Sequence, residues 1–403
     1  MDFCAERIKT IESDIRGKNY YTALDFESKG IKVLKLNTGN PATFGFGMPD
    51  SVRAALMENP DRAVGYSDPR GAATARQAIL DYHLSTGIKD ITLDDVFIGN
   101  GVSEIGSILS TVLFNPGDEI LLPMPTYSLW SMQTELSGAK TVYYKCDEQN
   151  GWNPDIDHIK SLVTPKTKCM VVINPNNPTG VVYSEEILKE IAEIARQNNI
   201  IVLSDEIYDR LVFEGKKHIP FATVAPDVPV ITMSGLSKSH CLCGFRCGWM
   251  VLSGNEKVRS EIREGIMKVV AIRLSANAIM ETIIPAAIKD TEYTKAMLKE
   301  GGRLYEQRKA AWAALDKIEG LSYVKNDAAF YIFPRVKAGL DSDKKFVREL
   351  LLEKKILLVP GTGFLQQDND HFRIILLPEA NELNWAINEI GDFLKNYNSK
   401  RGV

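Results

Sequence analysis

Several things that would declare a function are missing from this chain. In 403 residues no apolar run approaches the roughly 18 that a membrane-crossing helix needs. A surplus of one charge is missing too. The 48 Lys and Arg stand against 52 Asp and Glu, a net charge of −4, so no basic field argues for nucleic acid or an anionic membrane. The two signs are interspersed, as on a solvated surface. The opening residues, MDFCAERIKTIESDIRGK, mix acids with bases and lack the apolar centre of a secretory leader. A soluble, cytoplasmic chain is expected. Neither an internal repeat nor a low-complexity linker is present. Nor is a C-x-x-C pair, which argues against a redox dithiol.

What is present is ordinary globular composition, 44% hydrophobic and 25% charged. The length exceeds one ordinary core, so two domains are expected. Short apolar runs bounded by turn residues recur at Val96–Ile98, Glu119–Leu122, Thr141–Tyr144, Met170–Ile173, Ile200–Leu203, Val230–Met233 and Trp249–Leu252. Stretches of helical period lie between several of them. In SEEILKEIAEIARQNN, from Ser184, the residues Ile187, Leu188, Ile191, Ile194 and Ala195 share one face. Alternation of strand and helix predicts an α/β fold on a largely parallel sheet over residues 45–285. The tail, 286–403, carries a long charged helix pattern, EYTKAMLKEGGRLYEQRKAAWAALDKI, then AAFYIFP, ILLVP and FRIILLP as strands, and a closing helix. It predicts a smaller α+β domain that residues 1–44 join.

The stretch GLSKSHCLCGFRCGW, from Gly235, concentrates His240, Cys241, Cys243 and Cys247 around Lys238 and Arg246. Structural zinc sites bring cysteines as two separated pairs, and Cys247 is the last of the six cysteines, after Cys4, Cys146 and Cys169. A metal is not expected here, and free thiols that pack the loop are.

In open α/β sheets ligands bind at the carboxyl ends of the strands. Three successive ends read NPNNPTG, SDEIYDR and SGLSKSH. They offer Asn177, Asp205 with Tyr208, and Ser237 with Lys238. A strand-end lysine whose pKa burial lowers is an amine able to attack a carbonyl. Pyridoxal phosphate is the usual partner, with an Asp setting the protonation of its ring nitrogen. Asp205 suits that nitrogen, and Asn177 and Tyr208 can donate to the phenolic oxygen. Arg246 and Ser237 suit a phosphate, with the helix start after Gly99 and Gly101, at Val102 and Ser103.

Taken together, NPNNPTG, SDEIYDR, GLSKSHCLCGFRCG, VPGTGF and FRI, in this order, resemble the class I pyridoxal-phosphate aminotransferases of fold type I nearly end to end. LKLNTGNPATFGFGMPD, GYSDPRGAATARQAI and GGRLYEQR look most like the bacterial alanine, or glutamate–pyruvate, branch. The resemblance implies a catalytic Lys238 that holds the cofactor and moves the substrate's Cα proton. It implies Asp205 at the ring nitrogen, Asn177 and Tyr208 at the phenolic oxygen, and Tyr127 stacked on the ring. Val102, Ser103, Ser237 and Arg246 would hold the phosphate. Tyr66 would reach the phosphate of a neighbouring subunit, which implies a homodimer with shared sites. Arg373 would clamp the substrate α-carboxylate, helped by the Gly39 backbone and Asn177. Arg273 falls near a position from which, in some relatives, an arginine of the partner subunit reads a distal carboxylate, and Arg16 lies on an N-terminal arm that covers the site in relatives. His240, Cys241 and Cys247 depart from the family's usual residues. The expected activity is amino transfer between L-alanine and 2-oxoglutarate. Aspartate, aromatic or methionine-like donors, and a C–S β-lyase on the same fold, stay open. A cofactor-binding regulator is disfavoured, because the N-terminal arm is too short for an appended helix-turn-helix segment.

Overall fold

The computed structural model describes residues 3–9 and 11–402. The seven apolar runs become strands of one eight-stranded sheet, to which Asn153–Pro154 adds the eighth: β1 Val96–Gly99, β2 Glu119–Met124, β3 Lys140–Asp147, β4 Asn153–Pro154, β5 Thr167–Ile173, β6 Ile201–Asp205, β7 Val230–Gly235 and β8 Gly248–Ser253. The spatial order is β1-β8-β7-β6-β5-β2-β3-β4. From β7 through β6, β5 and β2 to β3 the strands are parallel. β8 runs antiparallel to both β1 and β7, and β4 to β3.

Side chains alternate across the sheet with the period of two that a strand imposes. Met170, Val172, Val202 and Val230 enter one apolar core, while Val171, Ile173, Leu203, Ile231 and Met233 enter another. Both β6 and β7 are buried along their whole length, as a parallel sheet covered on both faces requires. The covering helices include α1 Val102–Leu113, α2 Leu129–Ser137 and α3 Glu185–Asn198. Ser184 starts α3 by accepting from the Ile187 N–H at 3.4 Å. Beyond β7 comes the single turn α4, Leu236–Ser239, and beyond β8 the long α5, Glu256–Arg273.

The rest of the chain packs a further core from Leu34, Leu36 and many residues between Met297 and Tyr397. The long charged pattern of the tail divides into α6 Thr291–Leu298 and α7 Arg303–Leu315. Gly301 turns with φ +77°, and a Cβ on Gly302 would lie 2.3 Å from the Ala296 carbonyl oxygen, so the chain bends where periodicity alone continues the helix. Among the short strands that follow, β9 Tyr331–Ile332, β10 Val359–Pro360 and β11 Phe372–Ile375 form one sheet, with β11 antiparallel to both others. The closing helix is α8, Ala380–Arg401. Leu34–Lys35 pairs in parallel with Ile356–Leu357, which joins the N-terminal stretch to this half. We propose the division into 45–285 and 1–44 with 286–403 on these separate cores; the seam runs through Phe46, Tyr208, Leu211, Phe213 and Cys241, which pack into the second half. Among the described residues no helix is long and apolar enough to cross a membrane.

Candidate active site

Strand register sets the site. Ile173 pairs with Asp205, and Asp205 with Met233, so β5 and β6 end level and β7 runs two residues farther. The residues just past those ends open into a cavity of about 810 Å³ that Gly39, Tyr331, Arg373 and Arg16 complete from the other half of the chain.

Asp205 lies at its floor and is buried. Its Oδ2 accepts from Trp130 Nε1 at 3.0 Å and its Oδ1 from the Ile207 N–H at 3.3 Å. Burial pushes this carboxyl up to about 6, against the pull of those two donors and of Lys238. Lys238 Nζ donates to the Gly39 carbonyl oxygen at 2.8 Å. Desolvation draws this ammonium down, but Tyr331, Cys243 and Tyr127 together hold it above the ordinary lysine value.

A cradle faces the lysine. Gly101 has φ +82°, and a Cβ there would stand 2.4 Å from an Arg246 guanidinium nitrogen. Glycine therefore lets the turn and Arg246 close on the same space. The first intrahelical bonds of α1 run from the Glu104 and Ile105 N–H groups to the Gly101 oxygen, so the Val102 and Ser103 amides precede them and point outward. Arg246 adopts φ +54°, and its NH1 donates to the Cys243 carbonyl oxygen at 2.8 Å.

Arg373 is buried between the rings of Tyr331 and Phe364, each 4.6 Å from its guanidinium carbon. Its NH1 donates to Asn177 Oδ1 at 2.9 Å, its NH2 donates to the Asn37 carbonyl oxygen, and its Nε finds no acceptor among the described residues. With Asn177 Oδ1 so engaged, its amide nitrogen is the part left to donate into the cavity. The Tyr208 and Tyr331 hydroxyls lie 2.7 Å apart. One donates to the other, and the second proton is free to serve a ligand oxygen.

Val102, Ser103, Tyr127, Asn177, Asp205, Tyr208, Ser237, Lys238, Arg246, Gly39, Arg373 and Arg16 all line this one cavity. Tyr66 and Arg273 lie apart from it. Tyr66 is 80% exposed. Arg273 NH1 donates to Glu104 Oε2 at 2.5 Å, and its NH2 to the carbonyl oxygens of Pro69 and Ile98. Its guanidinium is engaged within its own chain. His240 is buried, stacked on Tyr293 with ring centres 6.1 Å apart and 2.9 Å from Ser239 Oγ. Cys241 and Cys247 are buried, whereas Cys243 lines the cavity with its Sγ donating to the Ser237 oxygen at 2.8 Å. Trp130 and Tyr331, which bond Asp205 and Tyr208, are contacts of the site that sequence reasoning missed. The tyrosine stands in DAAFY, beside a motif already noted, and Trp130 reads as core.

The donor set fits pyridoxal phosphate. A buried carboxylate is held by neutral donors and awaits a cation, a glycine-cleared cradle offers amides and a guanidinium to a phosphate, and an amine stands between them. A buried arginine with an unmet donor awaits a carboxylate. This arrangement defines an enzyme that works on an amino or oxo acid through a lysine-held cofactor. Residues 31–390 match the family "Aminotransferase class I and II", and the chain belongs to it, a family of pyridoxal-phosphate enzymes. It is similar to the glutamate-pyruvate aminotransferase AlaA of Haemophilus influenzae, 45% identical over 98% of each chain. It is also similar to the alanine aminotransferase of Mycobacterium tuberculosis, 41% identical over 97% of this chain and 92% of that one. A solved aminotransferase from Escherichia coli superimposes with a TM-score of 0.96 at 42% identity, over 98% of each chain.

Proposed function

We propose that this enzyme transfers the amino group between L-alanine and 2-oxoglutarate, giving pyruvate and L-glutamate in two half-reactions at one site. The carrying observation is that Arg373 and Arg16 line the same cavity as Lys238. One guanidinium suits the α-carboxylate common to every substrate, and the other suits the distal carboxylate that only the glutamate pair brings. The relatives named for alanine and glutamate–pyruvate transfer support the same choice.

In this reading Arg373 binds the α-carboxylate in a fork and fixes which Cα bond faces the ring. Lys238 Nζ, as the neutral amine, would take the proton from Cα and return one on the far side of the transfer. Asp205, charged, holds the ring nitrogen protonated, and Asn177 and Tyr208 hold the phenolic oxygen. When bound, the cofactor supplies an electron sink and a carrier for the amino group. Val102, Ser103, Ser237 and Arg246 seat the phosphate, and Tyr127 covers the ring. The half bearing Arg373 closes over the substrate and excludes water. The enzyme acts in the cytoplasm as a homodimer in which Tyr66 serves the partner's phosphate site. Exposed Val64, Tyr66 and Ile272 support that assembly as an apolar face for a second copy.

The test is spectroscopic. L-alanine alone should bleach the visible band of the lysine-bound cofactor and release pyruvate, and 2-oxoglutarate should restore it. Lys238→Ala should abolish both changes. Arg16→Gln should raise KM for glutamate about tenfold and leave that for alanine within about twofold. A band that alanine leaves untouched but aspartate, aromatic or methionine-like donors bleach would reassign the donor. Pyruvate and ammonia from a cysteine conjugate without any oxo acid would favour the β-lyase.

A further inference from the structure

Arg273 ends α5, and the residue after it is strained. Leu274 has φ +75° and ψ −66°, and the Ser275 N–H donates to the Arg273 oxygen at 3.1 Å. This is the positive-φ γ-turn, a conformation that a leucine rarely adopts. Such backbone persists where surrounding contacts over-determine it, often beside a functional site.

Those contacts converge on one place. Besides meeting Arg273, Glu104 Oε2 accepts from the Asn100 N–H at 2.6 Å, and Glu104 Oε1 accepts from Asn100 Nδ2 at 3.0 Å. Asn100 Oδ1 in turn accepts from the Asn277 N–H at 3.0 Å. The turn from Gly99 to Gly101 is thus gripped by the two segments that flank the strained leucine. Slack in that turn is small. A Cβ at Gly248 would sit 2.8 Å from the Val102 nitrogen, and one at Gly101 would meet Arg246. A shift of the turn carries the Val102 and Ser103 amides with it and changes their aim relative to Arg246.

We propose that Arg273, acting through Glu104, is a positioning residue for the phosphate seat and makes no contact with substrate. The inference rests on the reading of Val102, Ser103 and Arg246 as that seat. The role needs a guanidinium, because one planar fork supplies a carboxylate and two carbonyl oxygens at once, and a lysine ammonium cannot present that geometry.

Cofactor-free wild type, R273Q and E104Q are titrated with pyridoxal 5′-phosphate and separately with pyridoxal, which lacks the phosphate. In both variants the Kd for pyridoxal phosphate should rise about tenfold, or about 1.4 kcal/mol, while that for pyridoxal stays within about twofold. The double variant should bind about as weakly as the weaker single one, since the two residues act as a unit. Equal weakening toward both ligands would overturn the proposal, because a role in general folding predicts it. So would an unchanged Kd for pyridoxal phosphate joined to a raised KM for glutamate. A wild type that does not prefer the phosphorylated ligand would remove the phosphate seat itself; a wild-type preference that both variants keep would overturn the positioning role alone.

Discussion

At the scale of single residues, Asp205 holds an electrostatic debt that only a ligand settles. Its folded carboxyl titrates at about 6 against an ordinary 3.8. Between those values the folded chain binds the proton and the unfolded chain does not. Stability of the cofactor-free protein therefore falls as pH rises through this window, by roughly 3 kcal/mol in all, and stays lowered above it. Asp205→Asn removes the buried charge. At about pH 7.5 the cofactor-free variant should melt above the cofactor-free wild type, and at about pH 4 the difference should vanish. Pyridoxal phosphate should reverse the order at the higher pH, because only the carboxylate gains a cationic partner. Thermal melts at both pH values, with and without cofactor, read this directly; a wild type that is the more stable cofactor-free form throughout would refute it. The carboxylate itself was legible at a strand end, as were Lys238 and Asn177. Its donor Trp130 was not, because the bond joins residues 75 positions apart and an apolar-looking YSLW offers no sign of it.

At the scale of elements, the strand that carries Arg373 is anchored by charge. Just before β11, His371 is stacked on Phe333 at 4.9 Å and lies 5.5 Å from the Trp152 ring. Its Nδ1 is 2.7 Å from Asp370 Oδ1, and its Nε2 is 3.4 Å from Glu148 Oε2. Arg335 meets both carboxylates, at 2.7 and 3.4 Å. Glu148 belongs to the segment between β3 and β4, so this group ties β11 to the sheet's edge. Burial draws the imidazolium down, but the two carboxylates hold it above its ordinary 6.5. A raised value means that the stabilisation is complete below the ordinary value and lost as pH rises through the folded one. Glu148→Gln should lower the His371 titration, followed by its ring proton resonance, and raise KM for alanine about threefold with a smaller change in kcat. Its deficit in Tm should shrink with rising pH. An unmoved imidazole titration would break the link. Elements of this kind were legible unevenly. Strands such as β5 and β6 were plain as apolar runs. A two-residue strand such as β4 has no periodicity to read, and the bend between α6 and α7 depends on backbone contact at Gly302 that helical spacing does not record.

At the scale of the whole molecule, the two halves meet at one cavity, and in the proposed homodimer a second copy would complete the site. Val64, Tyr66 and Ile272 are 85%, 80% and 84% exposed. The bond from Arg273 NH2 to the Pro69 oxygen, 3.0 Å long, joins the chain next to Ile272 to the segment that follows Tyr66. Single exposed apolar groups are ordinary, but several near the phosphate turn suit the proposed interface. A charge buried there without a partner would oppose association strongly. Ile272→Asp should therefore shift the protein toward monomer in light scattering and weaken cofactor binding with it, because each site loses the partner's tyrosine. Tyr66→Phe should keep the dimer and raise the Kd for pyridoxal phosphate about fivefold, the effect of one lost phosphate contact. Trp385→Asp is the control: that side chain is exposed on α8, in the other half, and should change neither assembly nor cofactor binding. If Ile272→Asp leaves a dimer with unaltered affinity, the face around Tyr66 is not where two copies meet, and the shared-site reading goes with it. If assembly and affinity fall together while Trp385→Asp is silent, the apolar face and the phosphate seat are parts of one device.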